Sequence, residues 1–98
     1  MSDIHTNIRD NIVYITLGNR FDFNSVNHFR DAYSNQKGTE FVVDFRNTEY
    51  MDSSGLGMLL NMKRHLENIT SKISLTNCRP QIKKVLMISR FDKKFAIK

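Results

Sequence analysis

The residues best suited to chemistry lie in one seven-residue segment, Met-Asp-Ser-Ser-Gly-Leu-Gly, at positions 51–57. Two adjacent hydroxyls, those of Ser53 and Ser54, stand beside the carboxylate of Asp52. A serine hydroxyl can act as a nucleophile, accept a phosphoryl group or cap a helix. The two glycines of the segment lack side chains, so a second backbone or a ligand can approach the chain closely there.

Motifs of catalysis and nucleotide binding do not fit this segment. A nucleophile elbow, G-x-S-x-G, would need glycine where Met51 stands. A Walker loop would need Gly-Lys-Ser/Thr, and the pair Gly55-x-Gly57 lacks the third glycine of a dinucleotide fingerprint. No histidine is near Ser53 in sequence. We therefore expect that this chain is not an enzyme.

Composition excludes several further classes of protein. A chain of 98 residues can bury one core, so we expect one domain spanning residues 1–98. The single cysteine, Cys78, cannot form an intrachain disulfide, and the histidines have no metal-ligand spacing. The apolar runs are far shorter than a membrane span, and the first residues do not resemble a signal peptide. These features predict a cytoplasmic protein with no metal, cofactor or membrane partner.

Charge is distributed unevenly along the chain. The formal net charge is +5, yet residues 1–49 hold 5 basic and 7 acidic side chains, whereas residues 50–98 hold 10 basic and 3 acidic ones. A basic half can bind nucleic acid, but no helix-turn-helix, RRM or KH signature accompanies it, so we expect no nucleic-acid partner. Two interpretations remain: solvated lysine surfaces, or a basic face for an acidic partner protein.

Hydrophobic periodicity predicts the elements before the segment. Residues 4–9 and 12–17 form a hairpin, whose second strand is apolar on both faces. Asn24 or Ser25 then caps a helix that ends at about residue 37.

A buried strand over residues 41–45 leads into the segment. The elements that follow are a helix from about Ser54 to Ile69, a strand over residues 72–76, a short helix that begins at Pro80 and buries Ile82, Val85 and Leu86, and an edge strand over residues 95–97.

This alternation predicts an α/β fold, a mixed sheet of four to five strands covered by three to four helices through right-handed crossovers. The segment then lies at the carboxyl end of a buried strand, where binding sites gather in α/β sheets. Ser53 and Ser54 fall at a helix N-terminus, which favours negative charge. An ordinary capping sequence is the alternative that the local pattern leaves open.

Residues 51–57, preceded by Phe-Val-Val-Asp-Phe at 41–45, resemble the phosphorylation loop of bacterial anti-sigma factor antagonists, the STAS domain family. The resemblance covers essentially the whole chain. Gly18 followed by Asp22 is similar to the family's Gly-x-x-Asp after its second strand. Arg90 departs from the glycine that is frequent at that place in the family.

The resemblance implies a STAS domain that acts as a partner switch. Ser53 is then the phosphoacceptor, Asp22 and Asp52 orient the loop, and Ser54 is its structural neighbour. A serine kinase that is also an anti-sigma factor, with a histidine-kinase-like ATPase fold, binds the unmodified chain and phosphorylates it from Mg-ATP. A PP2C-type phosphatase removes the phosphate. The unmodified form captures the kinase and thereby frees a sigma factor.

We also expect a partner-binding surface around the loop. Its expected members after Ser54 are Gly55, Leu56, Gly57, Met58 and Met62. The two methionines lie with His65 on a second stripe of the helix, where methionine would give an adaptable docking surface. Completion of the core edge is the alternative for that stripe.

Two other outputs remain open for a STAS protein. Similar single-domain proteins of Gram-negative bacteria control biofilm or motility regulators instead of a sigma factor. Other STAS proteins are constitutive subunits of a transporter ATPase, and such a subunit need not keep a phosphorylatable serine at position 53.

Overall fold

A computed structural model describes residues 3–69 and 72–98; residues 1, 2, 70 and 71 of the predicted domain lie outside the described residues. Among the described residues, no helix is both long and apolar enough to span a membrane. The elements in chain order are β1 (His5–Arg9), β2 (Ile12–Thr16), β3 (Arg20–Phe21), α1 (Val26–Ser34), β4 (Glu40–Asp44), β5 (Tyr50–Met51), α2 (Ser53–Leu66), β6 (Ile73–Thr76), α3 (Pro80–Ile88) and β7 (Ala96–Ile97), with short 3-10 helices at Phe23–Ser25 and Phe91–Lys93.

The main sheet has five strands in the order β1-β2-β4-β6-β7. β1 is antiparallel to β2, and the remaining neighbours are parallel. Because β2, β4, β6 and β7 are added in one direction, right-handed crossovers place α1, α2 and α3 on the same face of the sheet. The predicted α/β domain with a mixed sheet is confirmed.

The hydrophobic core lies between this helical layer and the sheet. Val13 and Ile15 of β2, Phe41 and Val43 of β4 and Leu75 of β6 are all 0% exposed. The opposite face of the sheet is open, so the alternate residues of β2 and β4 are mostly only partly buried although several are apolar. The apolar character of both faces of β2 therefore does not mean that both faces pack against helices.

The first helix begins at Val26, directly after Ser25 as predicted, but a 3-10 turn at Phe23–Ser25 leads into it. Asp22, and not Asn24 or Ser25, is the N-cap of the 3-10 turn that runs into α1, since its backbone is extended and its side chain accepts a hydrogen bond from the backbone of Asn24. Ser25 already has helical backbone angles and makes no capping hydrogen bond. The helix ends at Ser34, three residues before the predicted stop.

Two predictions about the later helices also need correction. α2 ends at Leu66, and Ile69, predicted to continue its buried stripe, is 58% exposed. In α3 the predicted start at Pro80 and the burial of Ile82 and Leu86 are confirmed. Val85 is 38% exposed because it lies at the border between the buried and the solvent-facing sides of this short helix.

Candidate functional site

A two-stranded parallel ladder that the sequence did not predict aligns two aspartates. β3 pairs with β5, with Arg20 opposite Tyr50. Asp22 and Asp52 follow these strands directly, and both have extended backbones, with φ and ψ of −137° and −168° at Asp22 and −115° and −170° at Asp52. Since paired strands run about 4.8 Å apart, the ladder sets the two aspartates side by side at the starts of two helices.

Asp22 is held by two side-chain hydrogen bonds. Its Oδ1 accepts from the backbone N–H of Asn24 at 3.1 Å, and its Oδ2 accepts from Nε of Arg20 at 3.2 Å. The carboxylate side chain is 7% exposed. Its backbone carbonyl accepts from the N–H of Ser25 at 2.8 Å, which closes the first turn. Asp22 thus fixes the entry into α1.

Asp52 caps α2 in the same manner. Its Oδ1 accepts from the N–H of Ser54 at 2.9 Å, and its backbone carbonyl accepts from the N–H of Gly55 at 3.0 Å. Ser53 is the first residue of α2 and is exposed, as predicted for a helix N-terminus. Within the described residues no hydrogen bond uses the hydroxyl of Ser53. The capping interpretation therefore applies to Asp52 and leaves the serine hydroxyl available for chemistry.

The two glycines of the segment have different roles. A Cβ at Gly55 would lie 2.5 Å from Cγ of Met51 and 3.0 Å from the carbonyl oxygen of Phe21, so the helix packs directly on the ladder at this point. A Cβ at Gly57 would meet nothing within 4 Å. Gly55 is needed for packing, whereas Gly57 leaves open space beside the exposed part of α2.

The methionines of α2 belong to the core. Met58 is 6% exposed and Met62 is 0% exposed, so the prediction of a methionine docking surface is corrected in favour of its alternative. Both side chains point toward the sheet because they share a helical face with buried Leu59 and Leu66. Leu56, in contrast, is only partly buried and keeps some surface beside the serine.

Histidine chemistry is remote from the serine along α2. His65 lies twelve residues after Ser53, which is about 18 Å along the helix axis. Its ring packs edge-on against Tyr33, with centroids 5.4 Å apart. His65 cannot therefore act as a base for Ser53 in this fold.

Two exposed aromatic residues at the site were missed by sequence reasoning. Phe23 is 66% exposed and Tyr50 is 41% exposed, and the guanidinium of Arg20 lies 4.2 Å from the centroid of the Tyr50 ring. Phe23 follows the capping Asp22 just as Ser53 follows its own cap. The position directly after a capping aspartate is the sequence signal that could have identified Phe23, since the residue at that position faces solvent in both loops.

The two loops that carry these residues, 17–25 and 48–57, are referred to below as the paired loops. They contain three carboxylates and one cation, the guanidinium of Arg20. One of the carboxylates, that of Glu49, accepts a hydrogen bond from the side chain of Asn19 at 2.8 Å. The site is locally acidic although the chain as a whole is basic.

The one cysteine does not offer a second nucleophile near neutral pH. Burial raises the pKa of the Cys78 thiol to about 11, more than the nearby charge of Lys83 lowers it, and the charge of Asp44 raises it slightly further. Since the thiolate is the reactive form, only a very small fraction of Cys78 is in that form near neutral pH.

Comparisons with known proteins bear on the family and the fold of this chain. The model of the STAS domain family matches residues 3–98. A STAS-domain containing protein of Pseudomonas aeruginosa strain UCBPP-PA14 is 46% identical over 85 residues, which cover 85% of this chain and 84% of that protein.

Solved structures share the fold along nearly the whole chain. The anti-sigma factor antagonist SpoIIAA in its unphosphorylated form is 25% identical, with a TM-score of 0.80 over 97% of this chain and 87% of that one. Its phosphorylated form, described as a Bacillus cell fate determinant, gives 24% identity and a TM-score of 0.74 over 97% and 90%. A sulfate transporter family protein from Wolinella succinogenes has 12% identity and a TM-score of 0.75 over 92% and 80%.

Proposed function

This chain belongs to the STAS domain family, and we propose that it is a partner-switching regulator of the anti-sigma factor antagonist type, reversibly phosphorylated on Ser53. Its unphosphorylated form binds a serine kinase that doubles as an anti-sigma factor, and a PP2C-type phosphatase restores that form. The need for Mg-ATP places the cycle in the cytoplasm.

The observation that carries this proposal is the state of Ser53. Its side chain is exposed at the first position of a 14-residue helix, and the capping hydrogen bond is made by Asp52 instead. Phosphorylation therefore breaks no hydrogen bond within the described residues. A helix N-terminus also favours added negative charge, by about 0.3–1 kcal/mol at an exposed site.

The chain acts in this cycle as a substrate. In the forward step the Oγ of Ser53 attacks the γ-phosphorus of ATP, the bond to the β-phosphate oxygen breaks, ADP leaves, and the hydroxyl proton passes to a base of the kinase. In the reverse step a water held by the phosphatase attacks the phosphorus and the serine oxygen leaves with a proton. Within this chain, Asp22 and Asp52 orient the loop through the hydrogen bonds that fix both helix starts.

The partner surface surrounds the serine on the outer side of the paired loops. Its members are the exposed Phe23, Ser53 itself, the partly buried Ser54 and Leu56, and the open backbone at Gly57. An exposed aromatic ring beside a small, uncovered backbone suits a protein interface, because aromatic side chains are enriched at such contacts. Gly55 supports this surface from below through its contact with the ladder.

One phosphate is enough to switch such an interface. Phosphoserine adds about −1.5 to −2 charges at neutral pH, next to Asp52. A like-charge mismatch in an interface costs several kcal/mol. Since each ~1.4 kcal/mol weakens binding tenfold, the modified chain loses its partner without a change of fold.

The test is phosphorylation by the cognate kinase in the presence of Mg-ATP, followed by intact-mass spectrometry. We expect one phosphate on the wild type and none on Ser53→Ala, while the matched control Ser54→Ala is still modified. Ser53→Ala should bind the kinase permanently, and Ser53→Asp should bind it weakly. A phosphate on Ser53→Ala, or an unmodified wild type, would contradict the assignment.

A constitutive role is the second candidate, and its support is that a sulfate transporter family protein shares this fold. A subunit of a transporter ATPase would bind its partner with the same affinity whether residue 53 is serine, alanine or aspartate. A switch that controls a biofilm or motility regulator would keep the dependence on residue 53 but release no sigma factor. Measuring partner affinity for the three variants separates the constitutive candidate from both switches.

A further inference from the structure

Four side chains of the ladder form a block beside Ser53. Residues two apart on a strand share a face, so Arg20 and Asp22 lie on one side of β3, and Tyr50 and Asp52 lie on the same side of β5. The register sets Arg20 next to Tyr50, and the two aspartates directly follow the second registered pair, Phe21 and Met51. Ser53 follows Asp52 directly at the start of α2.

The guanidinium of Arg20 is held over this block but still has hydrogen-bond donors without a partner in the block. Its Nε donates to Asp22 at 3.2 Å, and its plane lies over the Tyr50 ring at 4.2 Å, while the side chain stays 59% exposed. No hydrogen bond within the described residues uses its two terminal NH2 groups. Arginine carries five N–H donors in a planar fork that matches the oxygens of a phosphate.

Charge adds a reason for this guanidinium to meet a phosphate. The paired loops contain three carboxylates and no cation other than Arg20. A phosphate on Ser53 would bring about −2 into this acidic surrounding. Arg20 is the cation of the ladder itself, and Arg79 at the start of α3 is a second cation beside these loops, with its Nη2 3.8 Å from Oε2 of Glu49.

We propose that Arg20 binds the phosphate of phosphorylated Ser53 within the same chain. This inference rests on the proposed phosphorylation of Ser53 and deepens it: Arg20 is the residue that positions the phosphate and presents the modified state in one orientation. The terminal NH2 groups donate hydrogen bonds to two phosphate oxygens. Nε either keeps its hydrogen bond to Asp22 or donates to a phosphate oxygen instead. In both cases the ring of Tyr50, which lies under the guanidinium, holds its plane in place.

The test measures the second ionisation of the phosphate by 31P NMR. Phosphoserine is incorporated at position 53 during synthesis by genetic-code expansion, so the sample does not depend on any kinase. A nearby cation lowers this pKa, ordinarily about 6, and the N–H groups of the first turn of α2 also lower it. Asp22, Asp52 and Glu49 raise it, whereas the guanidinium of Arg79, which pairs with Glu49, lowers it, and these charged groups are the same in all variants below.

We expect Arg20→Gln to raise the phosphate pKa by about half a unit or more relative to wild type, and Arg20→Lys to restore part of the difference. Arg46→Gln is the matched control, because Arg46 also pairs its Nε with an aspartate two residues away, Asp44, at 2.8 Å and is 64% exposed. It lies outside the paired loops and should leave the phosphate pKa unchanged.

Equal phosphate pKa values in wild type and Arg20→Gln, or an equal rise in Arg46→Gln, would overturn the assignment of Arg20. A second measurement follows the Nε–H resonance of Arg20, which should shift when the phosphate is present. Failure of the kinase experiment on Ser53 would instead refute the proposed function, since the phosphate here is installed without a kinase.

Discussion

The paired loops are built alike and differ in what they expose. Each consists of a two-residue strand, an aspartate with an extended backbone and a helical turn. The residue after the aspartate is exposed in both, but it is Phe23 in the first loop and Ser53 in the second. The ladder thus presents one apolar ring and one hydroxyl from equivalent positions.

The anchoring of the two loops differs as well. The first is fixed by a buried carboxylate with two side-chain hydrogen bonds, and its strand residue Phe21 is 0% exposed. In the second, Asp52 makes one hydrogen bond and is only partly buried. The loop that carries Phe23 is therefore held by more contacts than the loop that carries Ser53.

The largest expected effect comes from the anchor of the first loop. The ring of Phe21 packs edge-on against Phe29 at 5.0 Å and Phe45 at 6.0 Å, so Phe21→Ala should lower the free energy of unfolding by about 3–5 kcal/mol. The equivalent change in the second strand, Met51→Ala, should cost less, about 2 kcal/mol. Urea unfolding measures both values.

Phe21→Leu serves as the control for this experiment, since it keeps most of the apolar volume and should recover much of the loss. A larger loss for Met51→Ala than for Phe21→Ala would reverse the roles that the comparison gives to the two strands.

Replacing the two glycines of α2 with alanine should change the stability in opposite directions. Gly55→Ala forces a Cβ to 3.0 Å from the backbone oxygen of Phe21, so we expect a loss of about 1–3 kcal/mol. Gly57→Ala meets no atom within 4 Å and should stabilise the helix by about 0.5–1 kcal/mol. Thermal unfolding of the two variants should move the melting temperature in opposite directions. Equal shifts would mean that α2 does not rest on the ladder.

Removing the two capping aspartates should lower the free energy of unfolding by amounts that differ less. Loss of a cap costs about 0.5–2 kcal/mol. Asp22→Ala should fall in the upper part of this range because the carboxylate is buried and also holds Arg20, and Asp52→Ala in the lower part. Urea unfolding of both single variants tests the order. Replacement by Asn, which retains a capping oxygen, should recover most of the loss at Asp52.

Much of the site could be predicted from local sequence because its signals are local. Asp52 before a run of helix-forming residues marks a cap, and the short apolar, β-rich run from Phe41 to Phe45 marks a buried strand. Ser53 was placed at the helix start for these reasons. The alternation of strands and helices also sufficed for the class of fold, since right-handed crossovers leave few arrangements.

The ladder could not be predicted because two-residue strands show no alternation. The pairing of Arg20 with Tyr50 joins residues 30 apart in the chain and depends on the sheet that brings their loops together. The prediction that Met58 and Met62 form a docking surface was wrong for a related reason, since both side chains are buried. Helical spacing tells which residues share a face, but which of two apolar faces meets the sheet is decided by tertiary packing.

The smallest expected effect concerns the basic half, which contrasts with the acidic paired loops. α3 follows β6, and α2 follows β4 after the short strand β5. Since β4 and β6 are parallel, both helices start at the same edge of the sheet, and Lys83 and Lys84 lie on an exposed face near that edge. If they attract an acidic partner, replacing both with Gln should weaken kinase binding by less than about tenfold at low salt, and the difference should fade as ionic strength rises.

Unfolding should be unchanged, because both side chains are exposed. Lys93→Gln with Lys94→Gln, in the turn after α3, is the matched control of equal charge and should have little effect. An affinity that responds equally to both pairs would mean that net charge, and not a basic face beside the serine, attracts the partner.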